Sequence, residues 1–191
     1  MVASAFADRV IDVPTGHTLP QYTFEYSFLE STNEKGSRDR YMVYSPLKGV
    51  EVGLRQRFRP NENGHTTADF SYNVVNPISS VSPGISVGML DAMDQTVDGR
   101  RTYIAFTFRE LLQVGERGEH GEATLGVQFG HLNSGFVGVT LPLGERFQLL
   151  TEHNGNRISA GFEIEPSADI RARVVTQDGT LLFGLNLSRR F

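Results

Sequence analysis

The sequence predicts an all-β protein, a closed antiparallel up-and-down β-barrel of about 12 strands with its apolar face outward. Three observations predict it. First, residues 147–191 read as successive hairpins, with turns at Asn154-Gly155-Asn156, Pro166-Ser167-Ala168 and Gln177-Asp178-Gly179. Asn-Gly and Asp-Gly favour tight reversal because those residues tolerate the positive φ that two-residue turns demand. Second, side chains alternate within each run. Phe162, Ile164, Ala172, Val174, Phe183 and Leu185 share one face, and Glu163, Arg171, Arg173, Gly184 and Asn186 share the other. Successive residues of a strand point to opposite faces, so this period of two marks a sheet with one greasy and one polar surface. Third, no segment long enough for a crossover helix separates the runs, which excludes parallel βαβ units.

The elements follow in order. Val10 to Gln21, with Pro14, Gly16 and Pro20, reads as an irregular lead-in. Gln21 to Leu29 is the first strand, with Tyr22, Phe24, Tyr26 and Phe28 on one face. Arg40 to Pro46 presents Met42 and Tyr44. After Leu47-Lys48-Gly49, Val50 to Phe58 sets Val50, Val52 and Leu54 against Glu51, Arg55 and Arg57, and Thr66 to Val75 sets Ala68, Phe70, Tyr72 and Val74 against Thr67, Asp69, Ser71 and Asn73. Ile85, Val87 and Met89 mark the fifth strand. Ile104, Phe106 and Phe108 mark the sixth, opposite Arg101, Tyr103, Thr107 and Arg109. Glu110 to Gln113 is expected to form a helical turn and Gly115 to Gly121 a loop. Ala123, Leu125, Val127 and Phe129 give the seventh strand and Phe136 to Leu141 the eighth. The last four are Phe147 to Glu152, Ile158 to Ile164, Ile170 to Val175 and Leu181 to Phe191. Open twisted sheets rarely exceed about ten strands, so closure is expected.

Alternation does not say which face points out, and the strand number decides it. About eight strands leave room for packed side chains, and roughly sixteen leave an aqueous channel. Twelve with apolar residues inward would enclose a space that side chains fill poorly, whereas ionic residues inward line a lumen that water can enter. Gly53, Gly88, Gly126, Gly130, Gly138, Gly161 and Gly184 lie on the polar face, where they relieve crowding on a concave wall. The alternative is a soluble or periplasmic barrel that binds a ligand in an apolar interior.

Composition narrows the function classes. The 191 residues include 20 Gly and 8 Pro but no Cys and no Trp, and carry a formal net charge of −4. Absence of Cys removes disulfide frameworks and Cys-ligated zinc, and an acidic balance offers no field for nucleic acid. No run of about 18 apolar residues exists, so no transmembrane helix is expected, while a membrane strand needs only about 9 to 11 residues. Ala5-Phe6-Ala7 before Asp8 has the small-x-small form of a signal-peptidase site, so residues 1–20 are expected to be signal remnant and lead-in, with 21–191 the barrel domain. A disordered start with chance alanines fits Met1 to Ala7 equally.

Motifs for catalysis and metal binding are lacking, so no enzyme activity, cofactor or metal is expected. His17, His65, His120, His131 and His153 fall mostly in predicted loops without metal-ligand spacing and read as solvated. His131 with Ser134 is the nearest approach to a hydrolytic pair and sits in a predicted turn. The candidate residues are those lining the lumen: Glu25, Glu51, Arg55, Arg57, Asp69, Arg101, Arg109, Glu152, Glu163, Arg171, Arg173 and Arg190. Arg is the sole cation of this set, and its planar fork holds carboxylates bidentately. These charges either neutralise one another in wall-to-wall ion pairs that stiffen the barrel or form an Arg-lined passage favouring anionic solutes. The links at 30–39, 76–84, 91–100 and 113–121 are too short to make a plug, so the lumen is expected to be blocked by wall side chains alone or not at all.

Phe183, Leu185, Leu187 and Phe191 share one face, the form in which bacterial outer-membrane barrels commonly end, although Arg189 stands where an apolar residue is usual. The phrases PTGHTLPQYTFEYSF, KGVEVGLRQRF, LGERFQLLTEHNGNRISAGFEIEPSADIRARVV and LLFGLNLSRRF resemble the strand pattern of a YjbH-like family of bacterial outer-membrane barrels. The resemblance covers most of the chain from residue 14 and rests on strand and turn patterning. It implies an outer-membrane location and an association with exopolysaccharide production, with no active site to carry over. The expected function is thus a pore, or the membrane-embedded component of an envelope or exopolysaccharide assembly, with both termini periplasmic. Its partners would be membrane lipid and envelope or polysaccharide-export proteins, with no nucleic acid. A structural subunit of a larger envelope complex, its aromatic belt against other proteins, is a further alternative.

Overall fold

The structure, a computed structural model, describes residues 9–32, 36–58, 64–77, 82–112, 119–131 and 133–191. The expectation for Met1 to Ala7 lies outside them. Twelve strands are present: β1 (Thr23–Ser31), β2 (Arg38–Leu47), β3 (Val50–Phe58), β4 (His65–Val75), β5 (Gly84–Leu90), β6 (Arg101–Leu112), β7 (Glu119–Phe129), β8 (Ser134–Gly144), β9 (Phe147–His153), β10 (Ile158–Ser167), β11 (Ile170–Gln177) and β12 (Thr180–Arg190). Each pairs antiparallel with its sequence neighbours, and β1 pairs with β12, Tyr26 opposite Leu187, to close the barrel. Closure gives every strand a partner on both edges and removes the open edges that invite aggregation.

The turns show how the chain reverses. Between β11 and β12, Asp178 and Gly179 take φ of 50° and 78°, the positive pair that a tight two-residue hairpin needs. Between β9 and β10, the Asn154 side-chain oxygen accepts the Asn156 and Arg157 N–H groups at 3.2 and 3.0 Å. Two local expectations are corrected. Glu110 to Leu112 is strand, not a helical turn, and Glu119 to Gly121 is strand, not loop, because Glu110 pairs with Gly121 and Leu112 with Glu119. Pairing across the hairpin satisfies those backbone groups for both strands at once, which a single isolated turn of helix cannot do. Gln113 lies outside the described residues.

The orientation is apolar outward. Phe24, Phe70, Phe106 and Phe183 are 37, 46, 36 and 46 % exposed, while the neighbouring wall residues Glu25 and Glu51 are each 1 % exposed. The alternative of a barrel with these phenylalanines in a dry centre is overturned. Nine of the twelve strands are 9 to 12 residues long, the length that tilted strands need to cross a bilayer.

The barrel does contain buried apolar residues, and they form three separate clusters. Each cluster joins the wall to the segment that precedes β1: Leu19 with Tyr41 and Val43; Val13 with Leu90, Tyr103, Ala105 and Phe136; Val10 and Ile11 with Leu150, Val175 and Leu182. The segment before β1 therefore runs inside the barrel.

Candidate functional site

Residues 9–20 form a plug. Prolines at 14 and 20 lack an N–H and keep the segment from joining a ladder or a helix, so its remaining polar backbone groups need other partners. Wall side chains supply them. From the rim where the C-terminus lies, the Leu19 N–H donates to Glu51 of β3. The Gly16 N–H donates to Thr107 Oγ1 of β6 at 2.6 Å, and its carbonyl accepts from Asn73 of β4. Ser86 Oγ of β5 donates to the Thr15 carbonyl at 2.5 Å. Deeper in, a turn closed by Val10 N–H to the Val13 carbonyl, 3.0 Å, points three N–H groups one way. Ile11, Asp12 and Val13 all donate to Glu152 Oε2 of β9, at 3.0, 2.9 and 3.0 Å.

Ion pairs fix the same segment. Arg9 meets Asp69 at 2.7 Å, and its guanidinium stacks 4.5 Å from the Tyr41 ring centre. Asp12 accepts from Arg55 and, at 3.1 Å, from Arg57, the two arginines also holding Asp39 of β2. His17, expected as a solvated loop histidine, instead sits inside the barrel with Nε2 3.0 Å from Glu122 of β7. Close approach also needs missing side chains. A Cβ on Gly16 would stand 2.6 Å from the Gly84 carbonyl oxygen, and one on Gly138 would stand 2.8 Å from Val10 Cγ2.

The structure brings part of the ionic set together across the wall. Arg171 meets Glu25 at 2.7 Å and Glu163 at 3.9 Å, and Arg173 meets Glu163 at 2.8 Å. Asn186 completes the Glu25 carboxylate at 2.8 Å, and Arg109 meets Glu122 at 3.1 Å. Another part serves the plug: Glu51, Arg55, Arg57, Asp69 and Glu152. Arg101 stands apart, its Nη1 3.2 Å from Gln128 Oε1. Arg190 is exposed at the rim rather than enclosed. Ser134 Oγ accepts from Gln128 at 2.7 Å, so it is engaged in the wall network.

The expectation that wall side chains alone could block the lumen is corrected. The links between strands are short, as read from the sequence, but the obstruction comes from the lead-in, whose irregular composition looked like mere connection. Signals for it exist in the wall. Wherever the barrel carries an inward apolar residue, the sequence shows consecutive apolar residues: Leu149-Leu150, Val174-Val175, Leu181-Leu182, Phe136-Val137 and Tyr41 to Tyr44. In the pair Leu181-Leu182 the first is 43 % exposed and the second 3 %. Each such doubling interrupts the alternation where a plug side chain docks.

At the mouth away from the C-terminus, the loop 91–100 folds over the lumen. The Asp91 N–H donates to Asp69 Oδ1 at 2.8 Å, and the Asp91 carboxylate accepts the N–H groups of Gln95 and Thr96 at 2.9 and 2.7 Å. Burial alone would raise its pKa. The two N–H groups, the Thr96 hydroxyl and the positive charge of Arg101 outweigh burial and leave Asp91 below the ordinary carboxylate value.

No protein family model and no curated protein matches the chain. Among solved structures, the barrel is similar to the outer membrane protein Omp33 of Acinetobacter baumannii, with a TM-score of 0.53 and 12 % identity over 90 % of this chain and 99 % of that one. The two share a fold.

Proposed function

We propose that this chain is a porin-like outer-membrane barrel whose passage is held closed by its own N-terminal segment, and that it carries no catalytic activity. The observation that carries the reading is the pairing of an apolar exterior with an interior of ion pairs and hydrogen bonds. Water favours the reverse arrangement, and a bilayer favours this one. Exposed aromatic residues gather at the rim that holds the C-terminus: Tyr22, Tyr44, Tyr72, Phe147 and Phe191. Rings at that level match the aromatic girdle of membrane barrels. The similar solved structure is that of an outer membrane protein.

In this reading membrane lipid surrounds the barrel and the rim that holds the C-terminus faces the periplasm. Removing the plug would uncover a lumen in which Arg171 and Arg173 stay paired with Glu25 and Glu163, and in which Arg55 and Arg57 are exposed together with the freed carboxylates Glu51, Asp69 and Glu152, a mixed lining whose balance of charge sets the selectivity. The narrower role, part of an envelope assembly tied to exopolysaccharide production, rests on the four strand phrases quoted above and on the resemblance they carry.

Conductance in planar bilayers tests the proposal. The purified chain should insert and conduct little, a version without residues 9–20 should conduct, and Arg55→Ala plus Arg173→Ala in that version should shift its selectivity toward cations. A chain that stays in solution without detergent sinks the membrane reading. A plug-less barrel that inserts and never conducts sinks the passage and leaves a structural subunit.

A further inference from the structure

Above the plug, at the mouth away from the C-terminus, lies a cavity of about 140 Å³. At about 30 Å³ per water it has room for on the order of five waters, the size of a small organic acid. Its floor is Asp12 and Val13 of the plug, and its walls and rim are the ends of β3, β6 and β7, the loop 91–100 and the turn 154–157. Five arginines and four aspartates line it, and two more aspartates just behind the lining, Asp39 and Asp178, are held by those arginines.

Most of those charges are already matched. Arg9 has Asp69; Arg55 and Arg57 share Asp12 and Asp39; Arg157 has Asp178 at 3.3 Å. Asp91 has its loop N–H groups. Arg101 differs. Among the described residues its guanidinium has no carboxylate within ion-pair distance and a single hydrogen-bond acceptor, Gln128 Oε1, and its Nε is buried with no partner. Guanidinium presents five donors in a fixed fork, and a buried charged donor left unmade is costly. Gln128 is itself held, donating to Ser134 Oγ at 2.7 Å and to the Asn154 carbonyl at 3.0 Å, so it fixes the Arg101 fork in the wall of the cavity.

We propose that this cavity is a binding site for a small monoanionic carboxylate of the sugar-acid class, with the Arg101 guanidinium as its anchor. A carboxylate matches the fork bidentately. One guanidinium without a carboxylate partner suits a monoanion, and the surrounding aspartates disfavour a phosphate dianion. Asp98 and Asn156, both on the cavity lining, offer acceptors and donors for hydroxyl groups. Binding here needs neither conduction nor movement of the plug, so the site stands or falls separately from the closed-passage reading.

Calorimetry on the full chain in detergent micelles tests it, with sodium glycerate, the three-carbon sugar acid, as the probe, glycerol as the neutral counterpart and inorganic phosphate as the dianion. Glycerate should bind one to one, glycerol should not bind, and phosphate should bind more weakly. Arg101→Gln should weaken glycerate about tenfold or more, the loss of hydrogen bonds to a charged group. Arg101→Lys, which keeps the charge and loses the fork, should fall between, and it carries the test if the glutamine variant does not fold. Arg38→Gln, at an exposed pair with Glu30, should change nothing. The site is overturned if the parent chain ignores glycerate, if glycerol binds as well, or if the folded Arg101 variants bind like the parent.

Discussion

Replacing Glu152 with alanine should free the plug without unfolding the barrel. One carboxyl oxygen, Oε2, accepts three N–H groups from Ile11, Asp12 and Val13 at 3.0, 2.9 and 3.0 Å. A typical hydrogen bond contributes about 1 kcal/mol net, and more when the acceptor is charged. Three lost bonds therefore cost at least about 3 kcal/mol, and every 1.4 kcal/mol is a factor of ten. The ratio of docked to undocked plug should fall more than about a hundredfold. The wall loses little by comparison, because the β9 ladders to β8 and β10 are backbone bonds that alanine keeps. Hydrogen exchange resolved by residue reads this directly: the amides of Ile11, Asp12 and Val13 should exchange about a hundred times faster than in the parent, while those of Leu149 and Leu150 keep their protection. Unchanged exchange at the three plug amides in a folded variant would refute the claim that Glu152 holds the turn. Equal acceleration in plug and wall would show that the plug is not a separate unit.

Gly16→Ala should also dislodge the plug, because the new methyl group meets backbone at Gly84, 2.6 Å away, where no side chain can swing aside; bilayer current above that of the parent checks it. Phe106→Arg places a charge on the outer wall at a side chain 36 % exposed, and near the bilayer midplane that costs about 2–4 kcal/mol, so folding into liposomes should weaken while the variant still folds in detergent. The loop 91–100 should lose order in acid. The Asp91 carboxyl sits below its ordinary value in the folded protein, so its contribution is full above the unfolded value of about 3.9 and is lost as pH falls through the folded value. Protection of the Thr96 amide should therefore be constant from pH 7 to about 5 and decline only below about 4. Asp91→Asn should remove that pH dependence, and a decline already complete near neutrality would contradict the assignment.

Strand positions, most hairpin turns and the two faces are legible because each rests on local rules: a period of two, and glycine or aspartate at positive φ; the turn expected at Pro166-Ser167-Ala168 instead lies at Ala168-Asp169, since Ser167 pairs with Ile170. Val50 to Phe58 falls on β3 residue for residue for that reason. The region 110–121 was less legible, since a short apolar stretch such as Glu110 to Leu112 fits a helical turn until a partner strand is known. Within the site, the inward direction of Glu25, Glu163, Arg171 and Arg173 follows from alternation, but who pairs with whom does not. Arg171 and Glu25 are 146 positions apart in sequence and meet because closure puts β1 and β11 on either side of β12.

By itself, then, the order of residues determined a twelve-strand antiparallel wall with hydrocarbon on one side and charge on the other, since both are written in the spacing of neighbours. Only the tertiary structure decided that the barrel is filled and by what. Val10, Ile11, Val13 and Leu19 follow no period because their segment forms no ladder. Its backbone is satisfied by Glu51, Asn73, Ser86, Thr107 and Glu152, drawn from five different strands, and those side chains converge on it only after the sheet has curved and closed.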